Sequence, residues 1–336
     1  MGRCQTPSWG DRSDLARPVL RVPSKGGRTM GWPLRMFLPE EIYFVTVRCF
    51  QRRLLMRPSN ETTEVLGGVL ARAARLNGVE VFVFAFASNH LHLLVRAPAG
   101  NLPRFMQHLL TNISKKLGAL VRWRGRFWEH RYSAAPVLDE AALLDRVRYI
   151  LAHGVKEGLV RRCGEWPGLS SLSMLWDRRP RSFRWFNWTR RAKSGSSVSS
   201  RSKFGDEWAE SETLELAPLP IENLQPLEAM RRFLRDATRE FEAQAARTFA
   251  RVLGRDGVLR QNPHCRARWR KPSRGPRCHT TIRALLVEYL ERYRGFAAAF
   301  REAAVRWKRW EFGTSFPEQA FRPIVWPGVP PGQLAA

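Results

Sequence analysis

Acidic side chains are scarce in this chain: 30 Asp and Glu face 57 Lys and Arg across 336 residues, a formal net charge of +27. Such an excess says nothing about fold, but it makes a polyanion the natural partner, whose binding releases counterions and weakens with salt. Long apolar runs are missing too. Nothing approaches the roughly 18 consecutive apolar residues of a membrane helix, and residues 1–30 lack the apolar centre of a secretion signal, so no membrane partner is expected. Cysteine is sparse, odd in number and scattered, at positions 4, 49, 163, 265 and 278, which suits a reducing, cytoplasmic setting rather than a disulfide framework. The adjacent pairs His264-Cys265 and Cys278-His279 lack the spacing by which zinc modules separate their ligands, so the segment between them is read as basic loop. The start MGRCQT fits an acylation pattern too short to carry weight.

Aromatic residues, by contrast, are interleaved with the arginines, as in VRWRGRFWEHRY and RSFRWFNWTRR. Guanidinium groups bind phosphates and aromatic faces stack on unpaired bases, so this alternation makes nucleic acid the expected polyanion.

Hydrophobic patterning divides the chain. Residues 1–32 read as a basic disordered arm. IYFVTVRCF is β-branched and aromatic, a strand; ETTEVLGGVLARAARLNG is a helix, capped by Asn60 or Thr62 and closed by Asn77-Gly78. VEVFVFAFA and HLHLLVRA are two further strands around the turn Ser88-Asn89, followed by an amphipathic helix in NLPRFMQHLLTNISKKLGALV. A strand near RYSAAPVL and a helix from Asp139 to about His153 complete the order βαββαβ. That order predicts an α+β fold, a ferredoxin-like antiparallel sheet with helices on one face, plus a mainly helical C-terminal extension. Residues 176–224 read as a basic Ser/Pro-rich linker, 225–322 as a helical C-terminal domain with a break near Gly295, and 323–336 as a Pro-rich tail.

Only 7 histidines are present, and two of them flank Leu91. Successive strand residues face opposite ways, so His90 and His92 share one face and Leu91 and Leu93 the other. By itself such a pair is either a solvated couple or part of a metal or catalytic site, because two neutral imidazoles need a further ligand. Tyr149 and His153, four residues apart on the later helix, share a helical face. A tyrosine there is either interfacial packing or a nucleophile, and His153 either a ligand or a cation suited to a helix end.

The motif His90-Leu91-His92 resembles the HUH signature of single-tyrosine transposases. With FLPEEIYFVTVRCFQRR, RGRFWEHRY, RYILAHGVKEGLV and EWPGLSS in order, residues 33–175 are most similar to the REP-associated tyrosine transposases. The resemblance implies a catalytic domain in which His90 and His92 hold a divalent metal, Mg or Mn, and Tyr149 is the nucleophile. Where those relatives carry Asn-Pro, this chain has His153-Gly154; His153 fits a third ligand, and nitrogen donors favour manganese over magnesium. The implied activity is cutting and joining single-stranded DNA at hairpins or palindromic repeats through a 5′-phosphotyrosine, in a bacterial, nucleoid-associated protein of a mobile element, with both monomers and homodimers among relatives. DNA-binding candidates are Arg122, Trp123, Arg124, Arg126, Phe127, Trp128 and Arg131, with core packing the other reading for Phe127 and Trp128; Lys115 and Lys116 read as a solvated helix face. The second reading of the whole is a non-catalytic hairpin DNA- or RNA-binding protein derived from such a transposase.

Overall fold

In the computed structural model, which describes residues 34–194, 203–267, 275–311 and 313–320, the expected order appears with small changes of boundary. Strand β1 (Ile42–Arg48) leads to helix α1 (Asn60–Asn77), strands β2 (Glu80–Phe86) and β3 (His90–Arg96), helix α2 (Leu102–Leu120) and strand β4 (Ser133–Val137). The strands form one antiparallel sheet in the order β2-β3-β1-β4, the ferredoxin-like arrangement. Ser59, rather than Asn60 or Thr62, caps α1: its backbone is extended and its hydroxyl accepts from the Thr62 N–H at 3.1 Å. Gly78 closes the same helix in the left-handed region, as expected.

Both faces of the sheet are buried, by different helices. One face carries Val45, Val47, Leu91, Leu93 and Val95 against α1 and α2. Its opposite carries Phe44, Ala85 and Leu94 against helix α3 (Glu140–Leu151), which follows β4. His92 pairs with Thr46 and His90 with Arg48 in the β1–β3 register, which puts both imidazoles under α3. Helix α3 begins at Asp139, whose carboxylate accepts from the Ala142 N–H at 2.8 Å, and is interrupted at Ala152 before a single further turn, α4 (His153–Lys156).

The downstream half departs from the expected linker and separate helical domain. After α5 (Leu172–Asp177), residues Arg181–Phe186 (β5) and Ala209–Leu214 (β6) pair as an antiparallel ribbon, with α6 (Trp188–Lys193) between them. This ribbon packs on α1 where Gly67 and Gly68 remove every Cβ: a Cβ at Gly67 would run into the Phe183 ring, and one at Gly68 into the Arg184 carbonyl. Glu212 on β6, buried, accepts from Arg72 and Arg75 of α1 at 2.6 and 2.8 Å. Helix α7 (Leu227–Thr248) lays Met230 and Leu234 into the α3 side of the core, and α8 (Gly254–Leu259) follows a short turn. Helix α9 (Arg283–Lys308) packs Tyr289 and Phe296 against Met36 and Leu38, so neither long helix belongs to a separate body. It runs unbroken through Gly295, since one glycine lowers helix stability by only about 1 kcal/mol.

Both outer strands are covered. On β2, the Phe86 N–H donates to Leu169 and Ser171 bonds both N–H and C=O of Phe84; on β4, His279 exchanges bonds with Pro136 and Leu138. Sheet edges left open are templates for mispairing, and here chain from later in the sequence closes them. The expected N-terminal arm and Pro-rich tail lie outside the described residues.

Candidate active site

Three histidines meet between the sheet and the end of α3. Ring centroids lie 4.9 Å apart for His90–His92, 4.4 Å for His90–His153 and 5.0 Å for His92–His153. Among the described residues this is the group whose donor atoms converge, all within 4.8 Å of one another. His92 and His153 are 5% and 4% exposed. Burial, followed by the neighbouring imidazoles and cations, holds His90 and His92 well below the usual histidine range, and burial brings His153 down to about 4. All three are therefore neutral at pH 7, the form that donates a lone pair to a metal.

Local contacts aim the rings. His90 Nδ1 lies 2.6 Å from Asn89 Oδ1, while Asn89 Nδ2 donates to the Arg52 carbonyl; with the amide so oriented, His90 Nδ1 carries the proton and Nε2 is the free donor. His92 stacks on Phe44, centroids 5.3 Å apart and 17° from parallel. Both ring nitrogens of His92 and Nε2 of His153 are buried without a hydrogen-bond partner. Buried polar atoms normally find partners, and orphans in a cluster of neutral imidazoles fit a borderline divalent cation.

Tyr149 stands beside this cluster, its ring 5.3 Å from His92 and 5.9 Å from Phe44, both edge-on. The Lys156 ammonium lies 3.6 Å from the centre of the phenol ring and the Arg146 guanidinium 5.1 Å. The sheet face, α3 and the turn α4 thus bring together His90, His92, Tyr149 and His153. Tyr132 is elsewhere: it is buried with the α1 and α2 side chains, under the Arg35 guanidinium.

The basic loop after α2 divides differently from expectation. Arg122, Arg124, Arg126 and Arg131 are exposed. Phe127 is core, 4% exposed. Trp123 is half-buried, with the Arg53 guanidinium 4.8 Å from its ring and the tilted His264 ring at 5.8 Å. The Trp128 indole N–H donates to the Leu110 carbonyl, leaving that ring half-buried at the margin of a groove. The groove, about 510 Å³, is lined by Ser114, Lys115, Gly125, Arg126, Phe127, Trp128, His130 and Arg131. Lys115 therefore belongs to it, whereas Lys116, 3% exposed, donates to the Phe186 carbonyl beneath Trp185 and Trp188. Through its Glu129 N–H the loop is tied to the Arg48 carbonyl, on the residue paired with His90, which sets groove and histidines at one end of the sheet.

Asn89, Arg146 and Lys156 were missed by sequence reasoning. Asn89 adjoins the histidine motif and its amide was the available signal; Arg146 lies one helical turn before Tyr149, a spacing that was legible, whereas the place of Lys156 depends on where α3 breaks.

No curated protein matches the chain. Two solved structures share low identity with it. A REP-associated tyrosine transposase bound to a REP hairpin is 16% identical, covering 54% of this chain and 98% of its own, with a TM-score of 0.37. A provisionally assigned transposase from Deinococcus radiodurans R1 is 20% identical over 38% of this chain and 95% of its own, with a TM-score of 0.26. The sequence profile described as IS200-like transposase matches residues 41–153. This stretch contains every histidine of the cluster together with Tyr149, and it is similar to the IS200-like transposase family.

Proposed function

We propose that the chain is a transposase that cuts and rejoins single-stranded DNA at hairpins or palindromic repeats, with Tyr149 as nucleophile and a divalent metal, Mn or Mg, on His90, His92 and His153. The observation that carries this reading is the convergence of three neutral imidazoles next to a tyrosine. When bound, the metal supplies electrophilic polarisation of a scissile phosphate oxygen. The Tyr149 oxygen bonds to phosphorus as the bond to the 3′-oxygen breaks; the phenol proton goes to solvent and the 3′-oxygen leaves as a hydroxyl. Phe44 and His92 hold the ring edge-on, restricting it to one approach, and the groove of Lys115, Arg126 and Arg131 binds the flanking phosphates. The catalytic unit is residues 33–175, and the protein works at the bacterial nucleoid.

The test uses a 3′-labelled single strand carrying a hairpin, incubated with the protein and MnCl₂ and then denatured. A labelled adduct formed by the parent and absent from Tyr149→Phe is expected. Hairpin binding by the parent without any adduct would instead establish a non-catalytic binder.

A further inference from the structure

The Tyr149 ring has a cation against it whose side chain comes from beyond the matched segment. Helix α3 stops at Leu151 and the chain turns once more, so that His153 opens α4 and Lys156 closes it. One short turn thereby delivers an imidazole to the histidine cluster and an ammonium to the phenol, 3.6 Å from the ring centre. Arg146, one turn before Tyr149, places a second cation 5.1 Å from the same ring.

We propose that Lys156 is a positioning residue for Tyr149: its ammonium fixes the phenol ring and stabilises the phenolate that forms or departs during strand transfer. This inference rests on Tyr149 being the nucleophile. A cation over an aromatic face is attracted by the ring quadrupole, and more strongly once desolvated. When a 3′-hydroxyl attacks the phosphotyrosine, a new bond from phosphorus to that 3′-oxygen forms, the bond to the phenol oxygen breaks, and the electron pair leaves on the phenolate. That charge is delocalised into the ring beneath Lys156, so the cation holds the leaving group more tightly than it holds the neutral phenol. Cleavage passes through the same transition state in reverse and gains equally. Burial pushes the Lys156 ammonium down to about 8, which leaves it protonated at neutral pH.

The test compares parent, Lys156→Met and Lys156→Arg in two single-turnover reactions with MnCl₂: cleavage of the hairpin-bearing strand, and rejoining from the isolated phosphotyrosine complex. Lys156→Met is expected to slow both by roughly 10- to 30-fold, the scale of a desolvated cation–aromatic contact, with the saturating rate constant falling and the half-saturating DNA concentration unchanged. Hairpin affinity and the Mn²⁺-induced thermal shift should match the parent, which also reports that the variant is folded; Lys156→Gln serves if Lys156→Met is not. Lys156→Arg should recover most of the rate. Parental rates in both neutral variants would overturn the proposal, as would a loss traced entirely to weaker DNA or Mn²⁺ binding. A parent that forms no Tyr149 adduct would refute the underlying function instead, so the two failures are distinct.

Discussion

Replacing His92 with Leu separates the ligand role of this buried histidine from a packing role. In the metal-free protein, His92 contributes a stacked contact with Phe44, worth about 0.5–1.5 kcal/mol, but buries two ring nitrogens that have no hydrogen-bond partner. Each buried orphan costs about 1–3 kcal/mol. Leucine has nearly the same volume, keeps the site filled and removes both orphans, so the gain exceeds the lost stack and the metal-free variant should be more stable by about 0.5–5.5 kcal/mol. At about 2 °C per kcal/mol for a chain of this size, the melting temperature in EDTA rises by a few degrees. Manganese should narrow or reverse the gap: at about 100 times its dissociation constant it stabilises the parent by about 2.7 kcal/mol, while the variant, with one of three ligands gone, shows little response. Differential scanning fluorimetry with EDTA and with MnCl₂ reads both effects. A variant that melts several degrees below the parent in EDTA would refute the reasoning, because it would mean that the imidazole is a satisfied core residue.

Four further outcomes follow from the same geometry. His153→Asn should retain cleavage but narrow the preference for manganese over magnesium, since an amide oxygen replaces a nitrogen donor; equal metal dependence in variant and parent would leave His153 a packing role. Asn89→Ala, by releasing the His90 tautomer, should weaken Mn²⁺ binding about 10- to 100-fold in a calorimetric titration, and unchanged affinity would dismiss the orienting bond. Arg126→Ala and Arg131→Ala should each make hairpin affinity less salt-dependent by about one unit of log–log slope, whereas parental slopes would move the phosphate contacts off the groove. Gly68→Ala should destabilise the protein although alanine is the better helix former by about 1 kcal/mol, because the clash with the Arg184 backbone costs more; faster hydrogen exchange confined to β5 would mark the loosened ribbon, and a stabilised variant would contradict it.

Most of the sheet was legible in the sequence because its strands are runs of β-branched and aromatic residues and its helices carry apolar residues at helical spacing. The alternation in His90-Leu91-His92 was enough to place both imidazoles on one face, and the spacing of Tyr149 and His153 enough to pair them. Beyond residue 176 the signal failed for a physical reason. Strand β5, RSFRWF, buries Phe183, Trp185 and Phe186 but exposes its arginines, so its composition looks like a basic linker. The clue lay far away, in the Gly67-Gly68 pair that lets a backbone approach α1. Trp123 has neighbours that its own segment does not announce: Arg53 and His264, from remote parts of the chain, stand beside its ring. Lys116 is a buried cation under two indoles, an arrangement that no local pattern announces.

The closure of both sheet edges by later chain bears on how this protein can be cut down or grafted. A fragment ending at residue 175 would keep Leu169 and Ser171 on β2 but lose His279 from β4, and with α7 it would lose Met230 and Leu234 from the layer beneath α3. It would present a bare strand and an uncovered greasy face, the ingredients of inclusion bodies, while still holding all three histidines and Tyr149. The portable unit is thus longer than the part that carries the chemistry, and any fusion to another protein should be joined beyond α9 rather than at residue 175.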